Sequence, residues 1–347
     1  SGIYLAKLTR TDVVTTAASH IVFVVRDDGG QSALLFQTSD TTWQAYNRYG
    51  GNSLYFGGPG VNPPAYQFPG RAYKVSYNRP FDTRDHDPQS WIFNAEYPMV
   101  RWLEANGYDV SYFAGVDSDR RGGLIRNHKA FLSVGHDEYW SGDQRSNVEA
   151  ARDAGVHLAF FSGNEIFWKT RWEASIDGSN TAHRTLVSYK ETLNNAKIDP
   201  TPAWTGTWRD PRFSPPADGG RPENALSGTI FTVDCCTYAI NVPSEMGALR
   251  FWRNTGIGTL PPGTVATLAD GTLGYEWDED LDNGFRPAGL MRLSSTTVNS
   301  PDKLLDNGAT FGAGPATHSL TLYRKNTVDL QGNVKSALVF GAGTVQW

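Results

Sequence analysis

Short apolar runs alternate with amphipathic stretches in the first half of the chain. Segments 130–134 and 156–161 are nearly continuous apolar runs, a pattern typical of parallel strands that are covered on both faces. The intervening residues 141–154 have a helical pattern, and Ser141 with Gln144 three residues later has the form of a capping box. These segments predict a βαβ unit, whose right-handed crossover brings the carboxyl ends of both strands to one edge of a sheet.

The same alternation extends on both sides of this unit. Strands are predicted at 3–10, 20–26, 33–37 and 108–113, and a helix is predicted at 93–106. Strands alternating with helices over 33–172 favour an α/β fold with a doubly wound sheet of flavodoxin-like or glutaminase-like type. Residues 50–90 are rich in Gly, Pro, Tyr and Asn and end in the charged segment 82–87. Because they have no periodicity, we interpret them as a lid or as one wall of a site.

After residue 172 the pattern becomes β-rich. Short strands separated by Pro- and Gly-rich segments are predicted at 185–189, 230–233, 239–242, 249–252, 318–323 and 336–340. No clear linker separates this part from the core, so we expect residues 1–347 to form a single intertwined domain. In that domain the β-rich part, 173–347, is either an annex or an insertion that returns to the α/β core at 33–172.

Composition narrows the classes of partner. The chain has 347 residues, a net charge of −5 and no basic run, which argues against nucleic acid and anionic membranes. It has no apolar stretch of membrane-spanning length, and it begins at Ser1 without an initiator Met, so we expect a processed or truncated product. The two cysteines are adjacent, Cys235-Cys236. We interpret them as reduced or locally paired thiols, with a redox or metal role as the alternative.

The loop after the first strand of the βαβ unit carries four polar residues in a row. His136, Asp137, Glu138 and Tyr139 follow the strand at 130–134. Such a loop can supply a general base, a metal ligand or a substrate clamp. The structural alternative is that Glu138 stabilises the N-terminus of the following helix and that Tyr139 packs beside it.

The second strand of the unit ends in Gly163-Asn164-Glu165. A Gly before Asn-Glu at this point resembles the sharp turns that present a catalytic side chain, but no Ser or Cys stands at the nucleophile position. The sequence therefore argues against an esterase or glutaminase mechanism. Glu165 is a candidate base or metal ligand, or one half of a salt bridge with Lys169 or Arg171.

Metal motifs and carboxylate pairs indicate two different kinds of site. The sequence has neither His-Glu-x-x-His nor Cys-x-x-Cys, so a standard zinc site is not indicated, whereas a site of oxygen ligands would leave no spacing signature. Glu138, Glu165, Glu223 and Glu276, with 11 Trp and 15 Tyr, would also suit a glycoside hydrolase. The acidic segment 276–280 is equally consistent with a solvated or cation-binding loop.

Two motifs then resemble a known family. Residues 135–141 read GHDEYWS and residues 162–168 read SGNEIFW, which resemble the paired HPEYWS and GGNGFYW signatures of the catalytic, large-subunit domain of N,N-dimethylformamidase. The likeness covers nearly the whole chain, with similar segments at 2–4, 42–47, 101–104, 107–110 and 274–278. Secreted actinobacterial members of this family look closer still, including at 221–226, and this resemblance implies an extracellular protein.

The resemblance implies a class I glutamine-amidotransferase-like α/β fold that holds a mononuclear iron through two tyrosines and a glutamate. The family's metal acts as a Lewis acid on an amide carbonyl and activates a bound water. Tyr139 matches one of the tyrosines through Glu-Tyr-Trp, and Tyr97, ahead of a Trp-Leu-Glu helix, is the best match for the other. Around 205–209, where the family has an acid, this sequence has none, so Glu223 or Glu165 is the candidate substitute.

The leading hypothesis is therefore an iron-dependent hydrolase of an amide-type C–N bond, in a small-molecule or polymer substrate. Glu276 matches a further acid of the family and would be the general base, while His136 and Asn164 would orient the substrate. The alternative is a secreted carbohydrate-active or carbohydrate-binding protein that uses paired carboxylates and aromatic rings. A third possibility is a family scaffold that has lost its metal.

Overall fold

The computed structural model describes residues 1–12, 18–57, 70–81, 91–212 and 220–347. Its strands are β1 (Gly2–Thr9), β2 (Ala18–Val25), β3 (Leu34–Thr38), β4 (Lys74–Ser76), β5 (Val110–Ala114), β6 (Ala130–Val134), β7 (Tyr139–Ser141), β8 (His157–Phe161), β9 (Trp168–Glu173), β10 (Thr185–Val187), β11 (Ile230–Val233), β12 (Asn241–Pro243), β13 (Val265–Thr267), β14 (Trp277–Glu279), β15 (Met291–Arg292), β16 (Thr296–Leu304), β17 (Phe311–His318), β18 (Thr321–Val328) and β19 (Val334–Gly341).

The helices connect these strands and are mostly short. They are α1 (Asp40–Tyr46), α2 (Ile92–Ala95), α3 (Tyr97–Ala105), α4 (Gly115–Arg121), α5 (Gly142–Asp153), α6 (Glu191–Asn194), α7 (Asn224–Ser227) and α8 (Ser244–Gly247), with 3-10 helices at Gly122–Asn127, Arg250–Trp252 and Gly256–Thr259. No helix in the described ranges is long and apolar enough to cross a membrane.

A mixed sheet lies at the centre, in the order β15-β18-β19-β8-β6-β3-β5. Strands β5, β3, β6, β8 and β19 run parallel, whereas β18 and β15 are antiparallel to their neighbours. Numbered along the chain, the parallel strands stand in the order 2-1-3-4-5, which flavodoxin-like folds share. The flavodoxin-like or class I glutamine-amidotransferase-like class stays a prediction, and this order supports it.

Alternate residues of the parallel strands pack on opposite faces of the sheet. Leu35 and Phe131 are buried in one cluster together with Val148 of α5. Phe36, the neighbour of Leu35, is buried in another cluster with Leu103 of α3. Because both faces are covered, these strands read as continuous apolar runs rather than as alternating ones.

The end of the chain joins the core sheet. Strand β19 pairs in parallel with β8, with Val339 opposite Leu158, and β18 pairs antiparallel with β19. The last strands of the β-rich part therefore extend the sheet that the first half of the chain begins. The division of the chain into a single domain with a core and a β-rich part stays a prediction.

Two smaller sheets carry the walls of the site. One has the order β4-β10-β9-β7, and its strands β7 and β9 continue from the loops after β6 and β8, with Tyr139 opposite Trp168. The other has the order β14-β11-β16-β17 and comes entirely from the second half of the chain. Both sheets lie close to the carboxyl ends of β6 and β8, which is where functional side chains were expected.

The predicted βαβ unit is confirmed. Strands β6 and β8 pair in parallel, and α5 lies between them in the chain. The backbone N–H of Gln144 donates to Ser141 Oγ at 3.1 Å, as the capping pattern predicts. The hairpin predicted near the start is also confirmed, because β1 and β2 pair antiparallel along their whole length.

Three other element predictions are wrong. The helix predicted at 93–106 is broken into α2 and α3 at Glu96, whose buried carboxylate accepts hydrogen bonds from Ser39 and Trp43. Residues 249–252 form a 3-10 turn, with Trp252 N bonded to Leu249 O at 3.0 Å, instead of a strand. The strand predicted at 318–323 spans the end of β17 and the start of β18.

Candidate functional site

The loop after β6 turns sharply at a glycine. Gly135 has φ of +100°, and a Cβ atom there would lie 2.8 Å from both the carboxyl carbon of Glu96 and Ser39 Oγ. Only glycine fits this turn without displacing those groups. The turn directs His136 and Glu138 into a buried position at the carboxyl edge of the sheet, where each is at most 2% exposed.

The loop after β8 is pinned against the β-rich part. A Cβ atom on Gly163 would lie 2.6 Å from the carbonyl oxygen of Glu276. Asn164, with φ of +51°, donates its backbone N–H to Asp278 Oδ1 at 2.8 Å. The close approach explains why a glycine precedes Asn164, and it brings the segment before β14 onto the strand ends.

Three predicted residues meet at this contact. His136 Nε2 lies 2.6 Å from Glu276 Oε2, and Asn164 Nδ2 donates to the same oxygen at 2.9 Å. The other ring nitrogen, His136 Nδ1, lies 3.3 Å from the hydroxyl oxygen of Tyr275. The imidazole therefore contacts the Glu276 carboxylate through Nε2 and the Tyr275 hydroxyl through Nδ1, and the same carboxylate oxygen accepts a hydrogen bond from Asn164.

The proximity of these groups perturbs their protonation. Burial alone would lower the pKa of His136, but the acidic groups around it, Glu276 foremost, together outweigh burial and raise the pKa to about 9. Burial would raise the pKa of Glu276, but the imidazole and the Asn164 amide outweigh it and lower the pKa. At neutral pH the two side chains therefore form an imidazolium–carboxylate pair.

Glu138 lies beside this pair. Its Oε2 atom is 3.7 Å from His136 Nε2 and accepts a hydrogen bond from Tyr46 at 3.2 Å, while Oε1 accepts a short hydrogen bond from Tyr55. Burial raises the pKa of Glu138, and His136 and Lys190 oppose that effect. The predicted structural role at a helix N-terminus is wrong, because the carboxylate bonds two tyrosines instead.

Lys190 is buried against three aromatic rings. Its Nζ lies 3.0 Å from the ring centre of Tyr55, 4.6 Å from that of Trp168 and 5.1 Å from that of Tyr139. The ammonium has no hydrogen-bond partner in the described part of the chain. Burial lowers its pKa well below the usual range, although Glu138 opposes the shift.

Glu138, Asn164 and Glu276 line a cavity of about 490 Å³, a size that suits a small molecule. Its lining includes the carboxyl residues Glu138, Asp234, Glu276 and Asp302, the amide of Asn164, and the aromatic residues Tyr46, Tyr55, Phe167, Trp168, Phe231 and Phe311. A larger cavity of about 740 Å³ is lined in part by Tyr275, and its described lining contains no carboxylate or basic side chain. The chemistry therefore belongs to the smaller cavity.

Glu165 does not line this cavity. Ser133 Oγ donates to Glu165 Oε1 at 2.6 Å and lies 2.8 Å from Asp137 Oδ2, so the two acids form a separate buried pair. Burial raises the pKa of Asp137 to about 8 and, with the help of Asp137, raises the pKa of Glu165 well above its usual range. Arg171, one of the two proposed salt-bridge partners of Glu165, binds Asp199 at 2.8 Å instead.

The three residues proposed as iron ligands lie in different surroundings. Tyr139 is fully buried, with the Tyr55 ring edge-on at 6.1 Å. Tyr97 begins α3, is 44% exposed and packs against Phe93. Glu223 is buried and is held by Arg209, whose Nη2 donates to Oε1 at 2.5 Å. No described contact joins these three side chains.

Sequence reasoning missed the residues that complete the cavity. Tyr46 falls in the aromatic segment 42–47 that the resemblance includes, and it is the last residue of helix α1. Tyr55 falls in the aperiodic stretch 50–90, of which 58–69 and the charged segment 82–87 lie outside the described residues. Asp234 precedes the Cys235-Cys236 pair, which forms a disulfide. Sequence reasoning also missed Lys190, which contacts the Tyr55 ring without lining the cavity.

One comparison with known proteins identifies a family. The family described as "N,N-dimethylformamidase beta subunit-like, C-terminal" matches residues 1–347, which is the whole chain. No curated protein matches this chain.

Proposed function

Because the chain belongs to the N,N-dimethylformamidase beta subunit-like family, we propose that it hydrolyses an amide-type C–N bond of a small molecule. The family indicates an amidohydrolase-type role, and the finer assignment of residues is ours. The reaction would take place in the 490 Å³ cavity that Glu138, Asn164 and Glu276 line. Extracellular location stays a prediction from the resemblance.

The observation that carries the proposal is the buried His136–Glu276 pair, with 2.6 Å between Nε2 and Oε2. A carboxylate and an imidazolium in contact offer a base and an acid that are both charged at neutral pH, because each lowers the cost of the other's charge. Hydrolysis of an amide uses both, since a base must carry a proton from water to the departing amine and a positive charge must balance the oxyanion.

The residues divide these tasks. Glu276 accepts a proton from water as the water oxygen bonds to the carbonyl carbon, and Asn164 Nδ2 holds the carboxylate in place. The positive charge of the His136 imidazolium, in contact with Glu276, balances the negative charge of the oxyanion that forms. The C–N bond then breaks, the amine nitrogen takes the proton from Glu276, and the acid product keeps the oxygen of water. The aromatic walls exclude bulk water from the reacting groups.

Iron stays a prediction, and the three ligands proposed for it do not fit together. Tyr97 is partly exposed beside Phe93, and Glu223 is neutralised by Arg209 through donors at 2.5 and 3.0 Å. Binding iron through Glu223 would require breaking that buried ion pair, which costs several kcal/mol. We therefore derive no step through iron.

The carbohydrate alternative is less well supported. Glu138 and Glu276 both line the cavity, but His136 Nε2 lies 3.7 Å from one carboxylate and 2.6 Å from the other. A glycosidic bond would have to pass between two carboxylates, and here the imidazole lies between them.

The test is hydrolysis of a panel of N-alkyl formamides and acetamides, followed by release of the amine. We expect Glu276→Gln and His136→Gln to lose about 100-fold or more in kcat, the usual worth of a general base or acid. Glu245→Gln makes the same change as Glu276→Gln at an exposed position of α8 and should keep full activity. Full turnover by Glu276→Gln would refute the assignment.

A further inference from the structure

The cavity combines acidic groups, an unsatisfied acceptor and aromatic walls, a combination that suits a cationic organic ligand. We propose that the substrate is an amide that also carries a protonated alkylamine, with the ammonium N–H groups directed to Asn164 Oδ1 and its charge balanced by Asp302. This inference rests on the proposed function for the amide part only. The binding of the alkylammonium part can be tested separately.

The unsatisfied acceptor is the side-chain oxygen of Asn164. It belongs to a residue that is 2% exposed and lines the cavity, and it has no hydrogen-bond partner among the described residues. Its identity as oxygen is fixed, because the other end of the amide donates to the Glu276 carboxylate at 2.9 Å and an ionised carboxylate can only accept. A buried acceptor left unpaired is costly, so the site is complementary to a ligand that donates.

The charge around this acceptor is negative. The carboxyl residues Glu138, Asp234, Glu276 and Asp302 line the cavity, and neither arginine nor lysine occurs among the described lining residues. His136 offsets only the charge of Glu276, which also has a hydrogen bond to Asp234. Asp234 donates in that bond and Glu276 stays ionised, so the lining keeps a net negative charge.

Asp302 is the acid that remains available to a ligand. Its backbone carbonyl accepts from Asp234 N at 3.1 Å, which places the two residues side by side at the cavity. The adjacent lysine, Lys303, does not neutralise it, because Lys303 Nζ binds Glu279 at 2.8 Å. Lys190 is not a lining residue, and its ammonium contacts the Tyr55 ring.

Aromatic rings form the rest of the wall. Phe167 and Phe231 lie edge to face with 5.1 Å between ring centres, and Phe311 adjoins Phe231 at 6.5 Å. Rings within about 6 Å of an ammonium stabilise its charge through their π faces, and they also accept its alkyl groups. An anionic or strongly polar ligand would gain neither interaction.

The first experiment measures binding without turnover, by calorimetry on the full chain at pH 7. The probes are n-butylammonium and its neutral counterpart n-butanol. We expect n-butylammonium to bind at least tenfold more tightly, and Asp302→Asn to weaken its binding at least fivefold, whereas Glu245→Gln leaves it unchanged. Equal affinity for the two probes, or no effect of Asp302→Asn, would overturn the inference.

A second measurement separates this inference from the proposed function. Amino-acid amides, which carry an ammonium, are compared as substrates with neutral amides of the same length. Preference for the amino-acid amides supports both ideas. Turnover of neutral amides without preference for the charged ones supports the proposed hydrolase activity and overturns the inference that the substrate is cationic. Tight n-butylammonium binding with no turnover of any amide keeps the ammonium site and overturns the hydrolase.

Discussion

Removing the carboxylate of Glu276 should convert His136 from an imidazolium into a neutral imidazole at pH 7. Glu276 is the largest influence that raises the pKa of His136 to about 9, and burial is the effect that opposes it. In Glu276→Gln burial still lowers the pKa of His136, whereas the main effect that raised it is gone. We therefore expect the pKa of His136 to fall below its ordinary 6.5 in that variant.

The structure sets the size of the effect. A shift of the pKa from 6.5 to about 9 corresponds to about 3 kcal/mol of stabilisation of the charged imidazole. Because the folded pKa is raised, this stability is fully present below pH 6.5 and is lost as pH rises through about 9. The pKa of Glu276 is lowered from 4.5, so the same interaction is also lost as pH falls through the folded pKa of that carboxyl. The pair therefore contributes most between about pH 4.5 and 6.5.

The assay is an NMR titration of the histidine ring protons, with the His136 signals assigned by their absence in His136→Gln. Urea unfolding at pH 6 and pH 9.5 provides the free energies. We expect Glu276→Gln to lose up to about 3 kcal/mol at pH 6 and much less at pH 9.5. Glu245→Gln should change neither the titration nor the stability. A pKa for His136 that stays near 9 in Glu276→Gln would refute the reasoning.

Three further predictions concern packing, charge and metal. Gly163→Ala would place a methyl group 2.6 Å from the carbonyl oxygen of Glu276 and should lower the free energy of unfolding in urea by about 2–3 kcal/mol. Gly123→Ala has open space around it and should lower that free energy by less than about 1 kcal/mol. Equal losses in the two variants would contradict this prediction. Lys190→Met should raise the free energy of unfolding at pH 7 by about 1 kcal/mol or more. Because the folded pKa of Lys190 is lowered, the gain in stability should become smaller toward pH 10.5. A gain that is the same at both pH values would argue against a buried charge. Tyr97→Phe should leave amide turnover and the metal content measured by elemental analysis unchanged, because Tyr97 is 44% exposed. Loss of iron in both Tyr97→Phe and Tyr139→Phe would instead show that these two tyrosines are iron ligands, as the resemblance implies.

The central sheet could be predicted because its strands are short apolar runs with a capped helix between them. The Ser141 cap and the burial of Val148 on the sheet side of α5 follow directly from local sequence. The strand at 318–323 could not be placed correctly, because the chain leaves one sheet after His318 and enters another at Thr321. Both halves of that segment have strand-like composition, and only the tertiary pairing separates them.

The site was predictable where strand ends carry polar residues. His136, Glu138 and Asn164 follow β6 and β8, so their convergence follows from parallel pairing. Glu276 was proposed from family resemblance, because more than a hundred residues separate it from Asn164 and no periodicity connects them. Glu165 is next to Asn164 in the chain, but its side chain accepts a hydrogen bond from Ser133 and does not line the cavity. The backbone at Asn164 has a left-handed φ of +51°, and no pattern in the sequence reveals it.

The acid–base pair is shared between the two halves of the chain, and this sharing controls its chemistry. His136 comes from the core, whereas Glu276 precedes β14, and the contact of Gly163 with the Glu276 backbone holds the two segments together. An opening of that contact would return the pKa of His136 from about 9 toward 6.5, so that the imidazole would lose its proton near neutral pH. The positive charge that stabilises the oxyanion would then be absent even though every side chain was intact. The seating of β14 against the end of β8 is therefore a condition for the proposed reaction, as well as a part of the fold.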